Sequence, residues 1–541
     1  MSSFLYGLWK RSGLFSQYRE RLYGYFSAIY PFQNLTIQKR IMQLMAVIIV
    51  SGLISAVFLF SFGGLSPAYA IFCLCIIILV QRYVVYGIFF REQQQLKKQL
   101  LTYLTRLGNI YASTKDLEIA VYKAIDEKDT RMATHGNLLN ELLDKNALSG
   151  GRDEYLSQYV RSIETTHLAQ LYMICEMTDT YGDNKKNGYS NFLMNISYIK
   201  ENVRMELILM QKRKNEFAML GIISFLPFFL MRPIEHWARG VSDSLVPYYD
   251  GMMGMAGTAI VFIMVCVCFY IVQCFQFPAE FNNVNVSAPV KLPHFMHGID
   301  MGINGLLQRK MYRSYEKSMK KARFIEEAGC GSLITHYRKR IFFGVAAGAI
   351  TVIAVSEIHL RIYYGIIIFI LAVALGSALP EAMVIIKHND YQHRKESEIL
   401  DLQTIILMLV NIKQMTIENL LRNMEDFSFC FKTAVEKAVD LYQESGVKSL
   451  ELVLEEESSA QFEHLIEGLI TCDKVPADEA FADLGEERSY YMKQRQEETE
   501  FTLRNQSALT QMLSFLPFSV VVIIKLVVPF VLDGLSAIGT F

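Results

Sequence analysis

An excess of charge of either sign is missing from this chain as a whole. Lys and Arg number 53 and Asp and Glu 54, a formal net charge of −1 over 541 residues, so there is no whole-chain electrostatic signature for nucleic acid. A disulfide framework is missing too. Of nine cysteines, Cys73, Cys75, Cys266, Cys268 and Cys274 fall in apolar runs and Cys175, Cys330, Cys430 and Cys472 are scattered. Cysteine in an apolar run behaves as a small hydrophobe, and the C-x-C pairs lack the further N or S ligands that zinc takes. A cleavable signal is also absent. Residues 1–40 interleave Lys10, Arg11, Arg19, Arg21, Lys39 and Arg40 with Phe4, Leu5, Trp9, Tyr18, Tyr23 and Phe26. That mixture suits an arm on a membrane surface or a helix packed on a soluble domain. The chain has no G-x-x-x-x-G-K-[ST], no H-E-x-x-H and no G-x-S-x-G, so no phosphate-cradling loop, zinc-protease helix or nucleophile elbow is legible. The reading is a non-enzyme with no catalytic, cofactor or metal residues. Glu463, Glu467, Asp473 and Asp478 are read as solvated acids rather than as a cation site.

What is present is apolar residue in long runs. Apolar residues make up 52% of the chain, and uncharged runs alternate with charged segments, as in a polytopic membrane protein with soluble domains. The expected spans are Met42–Phe62, Ala68–Phe90, Phe217–Met231, Met252–Phe275, Ile341–Ser356, Ile362–Leu379 and Leu513–Leu532. Arg82 and Lys525 stand inside spans, where a charge marks a functional site or a buried contact. Arg82 is read as snorkelling or meeting the soluble domain. Lys525 is read as a contact with another helix, because no acid accompanies it in its own span. Residues 232–250, with Trp237, Tyr248 and Tyr249, are read as an interfacial loop.

The charged segments have helical period. Leu117, Ala120, Val121, Ala124 and Ile125 share one helix face, after Ser113 and Thr114 as candidate caps and Asp116 in the first turn. Ile417, Leu420, Leu421 and Met424 do the same after Thr416.

The chain also repeats itself. Ser224-Phe225-Leu226-Pro227-Phe228 recurs as Ser514-Phe515-Leu516-Pro517-Phe518, each preceded at the same distance by a basic residue and Asn. Lys39-Arg40-Ile41 recurs at Lys339-Arg340-Ile341, and Leu107, Asn109, Ile110 and Thr114 recur at Leu409, Asn411, Ile412 and Thr416. The same order in both halves reads as a tandem duplication. The expected fold class is all-α: a polytopic membrane protein with two duplicated cytoplasmic α-helical bundle domains and about seven transmembrane helices. Its expected divisions are an arm (1–40), a hairpin (41–90), a helical domain (91–213), two spans (214–275), a basic linker (276–340), a second hairpin (341–382), a second helical domain (383–508) and a final span with a short tail (509–541). In the linker, Arg309, Lys310, Arg313, Lys317, Lys320, Lys321 and Arg323 are read as topology marking. Positive residues flank the spans on one side, which places the N-terminus and both helical domains in the cytoplasm.

This layout resembles the bacterial type II secretion system protein F family, inner-membrane platform proteins, and within it the tight-adherence (Flp) pilus branch, here in tandem or fused form. The likeness covers about residues 35–275 and 325–535. It lies in the basic Arg323–Gly331 stretch before a hairpin, the openings at Leu104–Ala124 and Ile406–Met424, and the Leu226-Pro227 and Leu516-Pro517 spans. The chain departs from the family pattern around Gly182–Gly188, which is extra. It also lacks the Gly usual in the turn after the first helix, at Tyr111–Thr114 and Lys413–Thr416. The resemblance implies a platform that couples a cytoplasmic ATPase to pilin assembly in the inner membrane, with ATPase, pilin subunits and membrane lipid as partners and a homo-oligomeric state. A solute transporter and a membrane-anchored regulatory scaffold are the alternatives.

Overall fold

The computed structural model describes residues 16–63, 67–143, 166–183, 185–186, 189–277, 315–329, 331–356, 362–410, 415–454 and 459–539. About nine in ten of them are helical. In chain order the helices are α1 (Ser16–Ile29), α2 (Asn34–Gly63), α3 (Pro67–Thr114), α4 (Leu117–Ala124), α5 (Thr130–Leu143), α6 (Thr166–Tyr181), α7 (Asn191–Phe217), α8 (Leu220–Val241), α9 (Val246–Asp250) and α10 (Met252–Gln276). They continue with α11 (Tyr315–Glu327), α12 (Leu333–Ser356), α13 (Ile362–Val410), α14 (Ile417–Phe427), α15 (Lys432–Ser445), α16 (Glu451–Leu454), α17 (Ala460–Thr471), α18 (Ala477–Ala480), α19 (Leu484–Val522) and α20 (Val528–Gly539). A two-residue ladder, β1 (Lys185–Lys186) with β2 (Tyr189–Ser190), pairs Lys185 with Ser190. The Gly150-Gly151 break, the turn residues 64–66, the Glu357–Arg361 hairpin turn and the basic residues Arg309, Lys310 and Arg313 lie outside the described residues.

The chain divides into two compact units. One holds residues 1–45, 88–212 and 393–502; the other holds 46–87, 213–392 and 503–541. The helical unit has one continuous apolar core drawn from both charged segments. Leu104, Leu107, Val121, Leu142, Leu171, Ile199 and Val203 come from the first, and Ile405, Ile406, Leu420, Leu421, Val435, Phe462, Leu465 and Leu469 from the second. Each such side chain contributes about 1.5–3 kcal/mol on burial. Helix α1 belongs to this unit. It buries Leu22, Tyr25 and Phe26, Tyr25 stacks on Phe89 at 3.8 Å, and its hydroxyl donates to Phe89 O at 3.0 Å.

The cap of α4 differs from the expected one, and that of α14 is the expected one. In α4 the N-cap is Asp116, whose Oδ1 accepts the Ile119 N–H at 2.9 Å; Thr114 instead takes the Asp116 N–H at 3.4 Å. In α14 Thr416 is the cap and accepts from Asn419 at 3.3 Å. Between α3 and α4, Lys115 adopts φ of 56°, the left-handed conformation that costs a side chain about 1–2 kcal/mol. No glycine stands at this turn, and a lysine takes the conformation.

Among the described residues, five stretches hold helices long and apolar enough to cross a membrane: Asn34–Val57, Cys73–Thr114, Asn191–Val241, Gly257–Gln276 and Ala477–Gly534. Their outer faces are apolar; Val50, Leu53, Ile54 and Val57 on α2 are each more than half exposed. An uninterrupted apolar stripe of this kind is stable in lipid and not in water. The other two expected spans fall on α12 and α13, which are not among these five. The expected loop at 232–250 is a correction. Helix α8 runs through Pro227 and Pro233 to Val241, so Glu235 and Trp237 are helical. A short 3₁₀ turn (Asp243–Leu245) and α9 then reverse the chain. Beyond α11, Gly329 at φ 62° and Gly331 at φ 80° supply the left-handed residues that end a helix.

Candidate functional site

The most unusual chemistry in the membrane unit surrounds Lys525. It is completely buried, and its ammonium donates to the Glu235 carboxylate, to Gly254 O at 2.9 Å and to Thr258 Oγ1 at 2.7 Å. Three N–H donors meet three acceptors, so the group is fully satisfied. The acid missing from the Lys525 span is therefore supplied by α8, on a stretch expected to be loop. The backbone here is also special. Residues Ile523–Val527 form a π-helical turn, which frees main-chain carbonyls from the regular ladder. Tyr248 Oη donates to Ile524 O at 2.9 Å and Tyr249 Oη to Lys525 O at 2.6 Å. Close approach of α10 makes this possible: a Cβ on Gly257 would sit 2.4 Å from Ile524 Cγ2. A lone ammonium in hydrocarbon is costly; paired and triply bonded, it becomes a fixed joint between α8, α10 and the last span.

The repeated pentapeptides meet through their first residues. Ser224 Oγ and Ser514 Oγ are hydrogen-bonded at 3.2 Å, each also 2.8 Å from the carbonyl one turn earlier. Pro227 and Pro517 are buried as well, whereas Leu226, Phe515, Leu516 and Phe518 are exposed. Phe225 packs on Phe269 at 4.2 Å and Phe228 on Phe262 at 4.9 Å. The buried Ser and Pro thus form a seam between α8 and α19, and the second copy turns its aromatics outward.

Arg82 lies between two rings, 5.2 Å from the centroid of Tyr86 and 4.9 Å from that of Tyr270. Its charge is held by aromatic faces.

The helical unit contains a second polar seam. Arg488, 1% exposed, donates from Nε to Thr404 Oγ1 at 2.8 Å and from Nη2 to Asn202 Oδ1 at 2.5 Å, and its guanidinium lies 5.0 Å over the Tyr198 ring. Nearby, His167 Nε2 is 3.2 Å from Glu206, which is bonded to Lys97 at 2.6 Å, and Thr166 donates to Asp401 at 3.3 Å. Burial alone would lower the His167 pKa, but Glu206 pulls it above its ordinary value. Burial also raises that of Asp401. These groups join the two charged segments; they do not assemble a nucleophile with a base. Among the described residues no group of three or more His, Cys, Asp or Glu could hold a metal ion.

No family model, curated protein or solved structure matches this chain. The assignment of function therefore rests on the geometry. Of the residues singled out in the sequence, Ser224, Ser514, Pro227, Pro517 and Lys525 enter inter-helix seams, and Arg82 is in a separate aromatic clamp. Glu235, Thr258, Arg488 and Asn202 were missed. Glu235 had a legible signal: counted by the pentapeptide spacing, it is the counterpart of Lys525.

Proposed function

We propose that the chain is an inner-membrane platform protein of the type II secretion F kind, a tandem of two such units that serves a tight-adherence-like pilus or secretion machine. The observation that carries this reading is a shared spacing. Ser224 to Ser514 and Glu235 to Lys525 both span 290 residues, and Tyr198 under Arg488 has the same separation. Equivalent residues of two copies fall opposite each other when one helix of each copy packs side by side in parallel. That supports a duplication, two related helical domains on one face of the membrane, and seven spans once α12 and α13 are counted. The single core of the helical unit supports a rigid cytoplasmic body on which an ATPase can act. The exposed apolar faces of the spans suit the apolar helix of a pilin. In this reading the protein is not an enzyme, and it works as a homo-oligomer in the inner membrane.

Deleting the chain and scoring surface fibres and secreted protein tests the proposal: loss of either, restored by the native chain, supports it, and wild-type levels of both refute it. Capture of a cytosolic ATPase should use the full chain in detergent, because residues 91–213 share their core with the second segment. A second reading, a solute transporter, is favoured by the buried Glu235–Lys525 pair, since intramembrane charge marks ion pathways. Uptake by vesicles containing the native chain but not Lys525→Met would favour it over a platform.

A further inference from the structure

A cleft of about 440 Å³ opens in the helical unit between the turn after α1, the first turns of α2 and the start of α5. Tyr30, Lys39, Arg40, Glu127, Thr130 and Asn137 are among its lining residues. The wall is built deliberately. His135 on α5 is buried and bonds through Nε2 to Ile29 O at 3.1 Å, which fixes α5 against the turn that carries Tyr30. Arg131 is drawn elsewhere, to Glu92 at 2.7 Å, so the cations left to the cleft are Lys39 and Arg40. Tyr30 is 1% exposed, and the polar group beside its hydroxyl is the Arg40 guanidinium, a donor, so the hydroxyl proton meets no acceptor. The Arg40 guanidinium lies 5.8 Å from its ring centroid. A buried donor without an acceptor loses about 1–3 kcal/mol, and a ligand acceptor in the cleft would recover it.

We propose that this cleft binds the phosphate of an anionic phospholipid headgroup. Two cations supply the charge, the Tyr30 and Thr130 hydroxyls and the Asn137 amide supply neutral donors, and the start of α5 adds the partial positive charge of a helix N-terminus. Lipid is the source because Lys39 and Arg40 are followed, along the same helix, by the uncharged run that begins at Met42. Phe32 and Leu35, in the same turn and helix start, are exposed apolar residues that suit acyl chains; a dissolved phosphate needs neither. Glu127, the carboxylate in the lining, accepts a hydrogen bond and so selects a headgroup with a hydroxyl beside its phosphate, as phosphatidylglycerol has. This inference holds whether or not the chain serves a pilus.

The test uses the full chain in detergent and in nanodiscs, with bound lipid counted by native mass spectrometry and melting temperature followed in parallel. Phosphatidylglycerol should bind and raise the melting temperature where phosphatidylcholine does not. Lys39→Gln and Arg40→Gln should each weaken phosphatidylglycerol binding about 5-fold, and Lys39→Arg should retain it. Tyr30→Phe should raise the lipid-free melting temperature and diminish the increment that phosphatidylglycerol adds, a signature that a misfolded variant does not give. Lys320→Gln with Arg323→Gln removes two charges outside the cleft, one more than either cleft variant, and should leave affinity unchanged. Equal binding of the two lipids overturns the proposal, as does a control pair that weakens binding as much as the cleft variants. Inorganic phosphate that protects as well as phosphatidylglycerol would make the site one for a free anion and likewise overturns it.

Discussion

Glu235 and Lys525 are ion-paired at a separation of 290 residues, the separation that also joins Ser224 to Ser514. A Ser-Phe-Leu-Pro-Phe motif packed in parallel against its repeat sets like against like. Two serines tolerate this, because each hydroxyl can donate and accept. Two ionised side chains of one sign, desolvated together, cannot. Glutamate on α8 and lysine in the last span resolve the conflict, because each satisfies the charge of the other across the seam.

Lys525→Met leaves Glu235, Thr258 and the Gly254 carbonyl without their cation. Removing one partner of a buried pair costs about 3–5 kcal/mol, so thermal melting in detergent should fall by several degrees. Glu235→Lys alone should be at least as damaging. Joined with Lys525→Glu it should recover part of the loss, and only part, because a carboxylate cannot donate to Gly254 O. A double-mutant cycle with no coupling would contradict this account.

Ser224→Cys with Ser514→Cys, in a background without the native cysteines, should form an intramolecular disulfide under mild oxidation. Mass spectrometry of the digested protein should find the two peptides joined in the monomer band. Cross-linking confined to dimers would mean that the seam is made between chains.

Arg488 binds Thr404 and Asn202 through a planar fork. Arg488→Met strands both and should destabilise the helical unit by about 3–5 kcal/mol. Arg488→Lys keeps the charge without the fork and should still lose more than 1 kcal/mol. Urea titration followed by circular dichroism measures both.

Lys115→Gly relieves a left-handed conformation. The gain of about 1–2 kcal/mol is partly offset by the greater freedom of glycine in the unfolded chain, about 0.5–1 kcal/mol, and by loss of the contact with the Tyr111 ring. A net stabilisation of up to ~1 kcal/mol is expected from the same titration.

His135 is buried as the neutral imidazole, with its pKa lowered to about 4 by burial against a smaller upward pull from the Ile29 carbonyl. The unfolded chain binds this proton at about 6.5. Between those values the unfolded state holds more protons, so stability rises with pH from 4 to 6.5 and is level above it. The window is worth on the order of 3 kcal/mol. His135→Gln should flatten the dependence in that range; an unchanged slope would locate it in other groups.

Much of this architecture is legible one residue at a time, because its physics is local. Runs such as Met42–Phe62 need no tertiary partner to declare themselves apolar, and the faces led by Leu117 and Ile417 need only the helical period. The repeats, the caps and the termination at Gly329 and Gly331 are likewise short-range, although which hydroxyl or carboxylate caps α4 depended on the left-handed turn at Lys115. Helix α8 was misjudged at Pro233 and the polar residues after it, since packing can carry a helix through residues that would end it alone.

The sequence by itself determined that the chain carries stretches apolar enough to cross a membrane, that it is helical, and that short motifs repeat, since burial of apolar surface and backbone hydrogen bonding are decided within a few turns. Tertiary structure alone decided that the two charged segments share one core, that Glu235 answers Lys525 and that Arg488 is received by Asn202 and Thr404. Those choices depend on which helix faces touch, and a desolvated charge accepts whichever partner stands within hydrogen-bond reach, however far away it lies along the chain.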